Sequence, residues 1–128
     1  MARILIVEDE AHISRVMSMW LTRQGHSVLQ TSDGRMALDV LDRETVDLII
    51  SDMNMPILDG LGLVKAVRHQ LGLKTPILLV TARCDQRSLA VELKPLQVKT
   101  CPKPFVPSRL VADIEKLLAE AAIEEATT

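Results

Sequence analysis

Ile4-Leu5-Ile6-Val7 is an unbroken, largely β-branched apolar run, the pattern of a strand buried on both faces. The period then changes. From Ala11 to Gln24 the apolar residues Ile13, Val16, Met17, Trp20 and Leu21 recur at helical spacing, which predicts a helix whose core face includes Trp20. Gly25 suits the end of that helix. Ser27 to Thr31 reads as a second, weaker strand, Asp33-Gly34 as a turn, and Met36, Ala37, Val40 and Leu41 as a short helix. Val46 to Ser51 is a third strand that stops at Asp52. Met53 to Gly60, with Pro56 and Asp59-Gly60, is a loop. Leu61, Leu63, Val64, Val67 and Leu71 continue as a helix that Gly72 ends. Pro76 opens the strand Ile77-Leu78-Leu79-Val80, which ends at Thr81. A weakly marked helix at Gln86–Leu93 is stopped by Lys94-Pro95, and Leu96 to Cys101 is a weak fifth strand. Pro107 fits the first position of a last helix with Leu110, Ile114, Leu117, Leu118 and Ala121 on its apolar face. Its N-cap, Val106, offers no side-chain oxygen. Ile123 to Thr128 reads as a fraying tail, leaving residues 1–122 as the domain.

Strands alternating with helices predict a doubly wound α/β domain, (βα)5, with a five-stranded parallel sheet and helices on both faces. In such folds the site lies beyond the carboxyl ends of the strands, where the strand order reverses. Glu8-Asp9 follow the first strand, Asp52 and Asn54 the third, Thr81-Ala82 the fourth, and Lys103-Pro104 the fifth. Three carboxylates, a hydroxyl and an ammonium therefore converge on one edge. Two like charges about 4 Å apart repel by roughly 4 kcal/mol at an effective dielectric near 20, so such a cluster needs cations. Lys103 is one, and a hard divalent ion is the natural second. Mg²⁺ suits a site with few carboxylates and room for water or phosphate oxygens, and Mn²⁺ can substitute. Strand one leads into Glu8-Asp9-Glu10-Ala11-His12 and not into a glycine-rich phosphate loop, which argues against a nucleotide-dependent enzyme. The chemistry that remains is a carboxylate nucleophile beside a metal, receiving a phosphoryl group.

Composition narrows the class without changing the fold. A chain of 128 residues is one domain, and 48% apolar content excludes intrinsic disorder. A net charge of −2, with Trp20 and Phe105 as the aromatics, provides neither a phosphate-tracking surface nor a stacking platform, so direct nucleic-acid binding is not expected. The N-terminus lacks the long apolar core of a signal peptide and no run approaches a membrane span, so a cytoplasmic location and no membrane contact are expected. Cys84 and Cys101 read as reduced thiols that follow neighbouring strands, with redox coupling as the lesser reading. His12, His26 and His69 are scattered and read as surface residues.

Over Ala2 to about Ala122 the chain resembles the receiver domain of the two-component response-regulator family. The resemblance is carried by Ile4-Leu5-Ile6-Val7-Glu8-Asp9, Asp47-Leu48-Ile49-Ile50-Ser51-Asp52, Met55-Pro56, Asp59-Gly60, Thr81-Ala82 and Lys103-Pro104-Phe105. Thr81 follows Asp52 by 29 residues and Lys103 follows Thr81 by 22, as in the family. The resemblance implies the flavodoxin-like strand order 2-1-3-4-5. It implies Asp52 as phosphoacceptor, and Glu8, Asp9, Asp52 and the backbone carbonyl of Asn54 as the Mg²⁺ site. Thr81 and Lys103 then stabilise the phosphoryl group, and the Lys103–Pro104 bond is cis. The implied partners are a histidine kinase or histidine phosphotransfer protein upstream, and a downstream protein bound through helix four, strand five and helix five. Such a domain catalyses only its own phosphorylation and dephosphorylation, and is no enzyme in the ordinary sense.

The chain departs from the family at Thr100. Many receivers carry an aromatic residue there, three positions before the lysine, that turns inward on phosphorylation. The glycine that usually precedes strand five is also absent around Lys94-Pro95-Leu96. A threonine has no ring to turn, so switching is expected to run through Thr81, its following loop and mobility of Asp85–Pro95. Other readings are a receiver-like interaction module that is never phosphorylated, or a receiver cut from a longer regulator or hybrid kinase. A phosphatase-like hydrolase is disfavoured because Asn54 stands where such enzymes place a second aspartate.

Overall fold

The structure, a computed structural model, describes residues 2–82, 86–103 and 106–127. Expectations that fall on Arg83–Asp85, Pro104 and Phe105 lie outside the described residues. These include the Cys84 thiol, the loop after Thr81 and the cis bond at Pro104. Five parallel strands form one sheet in the order β2-β1-β3-β4-β5. They are β1 (Arg3–Val7), β2 (Ser27–Thr31), β3 (Leu48–Asp52), β4 (Ile77–Thr81) and β5 (Lys99–Pro102). The helices are α1 (Ala11–Arg23), α2 (Gly34–Arg43), α3 (Gly60–Lys65), α4 (Gln86–Leu93) and α5 (Pro107–Thr127). The order reverses at β1, which has β2 on one side and β3 on the other, so a crevice opens past the ends of β1 and β3.

The central strands are apolar on both faces because both are covered. Ile4, Ile6, Leu48, Ile50, Leu78 and Val80 pack with Met17 and Leu21 of α1 and Leu110 and Ile114 of α5. Leu5, Val7 and Ile49 pack on the other side with Ala37 and Leu41 of α2 and Leu63, Val64 and Val67 of the α3 segment. Successive residues of a strand point to opposite faces, and this alternation builds two cores from one sheet.

Four expectations need correction. Trp20 is exposed, not core: α1 is turned so that Ser14, Met17 and Leu21 face inward, leaving Val16 42% and Trp20 36% exposed. Ser14 tolerates burial because its hydroxyl donates to Gln30 Oε1 at 2.9 Å. The apolar positions of α1 cover more than one helix face, so periodicity alone does not choose which stripe is buried. The helix after Gly60 is regular only to Lys65, then widens through Ala66–Gln70, where Leu71 N–H donates to the Ala66 carbonyl five residues back at 3.0 Å. The fifth strand begins at Lys99 and not Leu96, because Leu96 closes a tight turn and Gln97 takes a left-handed φ of 56°. Pro102 is tolerated at the end of this edge strand. Finally α5 runs through Thr127, where a fraying tail is expected from Ile123. The alanine- and glutamate-rich stretch 119–126 has the propensity to continue the helix.

The widened turn carries Arg68, whose guanidinium ties two loops together. It donates to the carbonyls of Leu73 at 2.9 Å and Thr75 at 2.8 Å before β4, and to those of Leu96 at 2.8 Å and Gln97 at 3.3 Å before β5. Burial works against its charge, and the four carbonyls offset that cost. Arg68→Ala is expected to destabilise the fold by about 2–3 kcal/mol, since several carbonyls lose charged donors together. A urea midpoint unchanged from wild type would show that the clamp contributes nothing.

Candidate functional site

Parallel pairing brings the strand ends into one row. Val7 pairs with Ser51, Asp52 with Val80, and Thr81 with Pro102, so the next residues share an edge. Backbone bonds extend the row past the sheet: Glu8 N–H donates to the Thr31 carbonyl at 3.0 Å and Lys103 N–H to the Thr81 carbonyl at 2.8 Å. Asp52 is the last residue of β3 and is 4% exposed, and Glu8 is 5% exposed. Asp9 is exposed beside them. One carboxylate oxygen from each of Glu8, Asp9 and Asp52 lies within 4.8 Å of the others. Lys103 Nζ lies 2.5 Å from Asp52 Oδ1. That contact pairs the ammonium with one oxygen of a carboxylate that has further lone pairs to offer.

Gly60, the first residue of α3, backs this row. A Cβ there would fall 2.7 Å from the Asp52 carbonyl oxygen, 2.8 Å from Met53 Cα and 2.6 Å from Leu79 Cδ1. Its N–H donates to the Met53 carbonyl at 2.8 Å. The following helix therefore lies directly behind the aspartate. This buttress is a site feature that turn chemistry alone does not disclose: Asp59-Gly60 signals a turn, not a close approach.

The remaining expected residues are placed as follows. Thr81 is fully buried and its hydroxyl donates to the Ala82 carbonyl at 3.1 Å. Asn54 is exposed on the loop beyond Asp52. Thr100 pairs with Leu79 within the sheet, partly exposed and away from the carboxylates in sequence. Among the histidines, His12 and His69 are exposed, whereas His26 is half-buried and its Nδ1 accepts from Ala2 N–H at 3.1 Å. Cys101 is buried.

The electrostatics show what the cluster lacks. Glu8 is pushed up to about 7, first by burial and then by the charge of Asp52. Burial works against the Lys103 ammonium, but its bond to Asp52, the Asp52 charge and those of Glu8 and Glu10 outweigh it and raise the group. One ammonium thus faces three converging carboxylates, and Glu8 responds by holding a proton. The donor set is all oxygen, and three carboxylates converge on a single ammonium, so these residues fit a hard divalent cation such as Mg²⁺.

A pH dependence follows. A protonated Glu8 favours the metal-free fold, an advantage that is full below its ordinary 4.5 and lost as the pH rises through about 7. Cation binding needs the carboxylate, so it must displace that proton. Mg²⁺ is therefore expected to raise the melting temperature more at pH 8 than at pH 5, and to release protons near pH 6. Calorimetry in buffers of different ionisation enthalpy reads the release. Affinity independent of pH over this range would contradict the assignment of Glu8.

No helix among the described residues is long and apolar enough to cross a membrane. The family described as "Response regulator receiver domain" matches residues 4–115. The transcriptional regulatory protein CpxR of Escherichia coli is 34% identical over 120 residues, covering 92% of this chain and 50% of that protein. The alkaline phosphatase synthesis transcriptional regulatory protein PhoP of Bacillus subtilis is 36% identical over 123 residues, covering 94% and 50%. The chain thus spans about half the length of these curated relatives. Among solved structures, the chemotaxis response regulator CheY4 of Vibrio cholerae superposes with a TM-score of 0.83 at 36% identity, covering 91% of this chain and 98% of that one.

Proposed function

The chain belongs to the response-regulator receiver family, and from that premise we propose that it accepts a phosphoryl group on Asp52 from a phosphohistidine of a histidine kinase or phosphotransfer protein. One observation carries this reading: a buried aspartate at the strand-end crevice, paired with Lys103 and flanked by Glu8 and Asp9. An Asp52 carboxylate oxygen attacks phosphorus in line. A P–O bond forms while the P–N bond of the phosphohistidine breaks, and the freed imidazole keeps the electron pair. Lys103 exchanges its contact with the carboxylate for one with a phosphoryl oxygen, which keeps a positive charge where negative charge has moved. Glu8, Asp9, Asp52 and the Asn54 carbonyl would hold Mg²⁺, which when bound offsets charge on the phosphoryl oxygens. Water attacking phosphorus later breaks the bond to the aspartyl oxygen, releasing inorganic phosphate and returning the carboxylate.

Thr81 links this chemistry to the surface. Its hydroxyl must leave the Ala82 carbonyl to reach a phosphoryl oxygen. Thr100 offers no ring to follow that movement, so the change runs from Thr81 through the chain that follows it to a face formed by α4, β5 and α5. A downstream protein or output domain reads that face. The reading is tested by incubating the chain with phosphoramidate and Mg²⁺ and weighing it. A gain of one phosphoryl group, labile to hydroxylamine as an acyl phosphate is, supports it. An unchanged mass in Mg²⁺ supports the interaction-module reading instead.

A further inference from the structure

Ile57 is strained in a loop that is otherwise firmly specified. Leu58 N–H donates to the Pro56 carbonyl at 2.8 Å, closing a three-residue turn in which Ile57 has a φ of +71°. This is the rare, strained form of the γ-turn. A β-branched residue at such a φ is an outlier. The surroundings impose the conformation. Leu58 is wedged between two glycines: a Cβ on Gly34 would lie 2.8 Å from the Leu58 carbonyl oxygen, and one on Gly62 would lie 2.7 Å from Leu58 Cδ1. Asp59 accepts from Gly62 N–H at 2.7 Å, and Gly60 N–H holds the Met53 carbonyl at 2.8 Å. With Leu58 directed inward and both ends tied, Ile57 is turned outward and is 75% exposed.

The fold requires this turn but not an isoleucine. Glycine adopts the conformation freely and asparagine with less strain, and a side chain so exposed buries almost nothing within the chain. A strained residue that serves no internal contact points to an external one. We propose that Ile57 is an apolar contact for the protein that presents the donor phosphohistidine, and so helps decide which donor reaches Asp52. The occupant follows from the pocket. The Asp52 side chain is 3% exposed, so a donor imidazole must enter the crevice to bring phosphorus within about 3–3.5 Å of the carboxylate. The surface carrying that imidazole then meets the rim, and the loop between Asp52 and Gly60 is one wall of it. A protein that reads α4, β5 and α5 has no such need to touch this loop.

The proposal rests on Asp52 being the phosphoacceptor, and its test separates the two. Wild-type chain is first labelled with phosphoramidate in Mg²⁺; no labelling there overturns the phosphoacceptor reading and this proposal with it. From a panel of purified autophosphorylated histidine kinases, the one transferring fastest to wild type is then used as donor. Ile57→Gly and Ile57→Asn are expected to melt no lower than wild type and to react with phosphoramidate at the wild-type rate. Their kcat/KM for transfer from the kinase is expected to fall about tenfold, as for loss of one buried aliphatic contact. Ile57→Leu, which keeps apolar area, is expected to transfer nearly as wild type. Unchanged transfer from the kinase to the glycine and asparagine variants would overturn the proposal. Equal slowing with both donors would also overturn it, because the residue would then act through the geometry of the site.

Discussion

Asp52→Asn is expected to take up no phosphoryl group from phosphoramidate or a kinase, a loss of at least about a thousandfold in rate. An amide oxygen is a poor nucleophile, and the charge that Lys103 balances is gone. The substitution is nearly isosteric, so the fold should persist. Its effect on stability has two opposing parts. The contact with Lys103 is lost, but that ammonium is 36% exposed and can turn to water. The charge that helps push Glu8 up to about 7 is also lost, which relieves repulsion. The net change is expected to stay within about 1 kcal/mol. Intact mass after labelling and a urea titration check both parts. Undiminished labelling would move the acceptor to another residue.

Gly60→Ala is expected to destabilise the protein by about 2–3 kcal/mol and to slow phosphorylation with it. The added carbon would meet the Asp52 carbonyl and Met53 Cα below 3 Å, and both are backbone atoms that cannot rotate aside. Either α3 is lifted off the sheet or the end of β3 shifts. Lifting α3 loosens Leu63 and Val64, which are fully buried. Shifting β3 moves the aspartate away from Lys103. Urea titration together with the labelling rate reads both effects. Wild-type stability and rate would show that the close approach of α3 to Asp52 is unimportant.

The architecture was legible in the sequence because the strands and helices differ sharply in period. Ile4–Val7, Leu48–Ile50 and Ile77–Val80 are too short and too continuously apolar for anything but doubly covered strands, and their ends name the edge where charge collects. Glu8, Asp9, Asp52 and Lys103 were legible for the same reason: parallel strands align their ends whatever the details of the loops. What stayed hidden depends on packing between elements. The burial of Ser14 in place of Trp20 turns on a hydrogen bond to Gln30, and the Arg68 clamp joins residues nearly thirty positions apart. The wide turn at Ala66–Gln70 has no sequence signal at the level of periodicity. Ile57 was hidden because nothing in its identity suggests a positive φ; only the glycines pressed against Leu58 explain it.

Phosphoryl transfer to the side chain of Asp52 and to no other residue is read by mapping the modified position. The chain is labelled with phosphoramidate in Mg²⁺ or in excess chelator, reduced with borohydride to trap acyl phosphate, digested, and sequenced by tandem mass spectrometry. Reduction is expected at Asp52 alone in the Mg²⁺ sample, and almost none in chelator. Modification mapped to Glu8, Asp9 or a hydroxyl residue, or equal modification of Asp52 without metal, would contradict it.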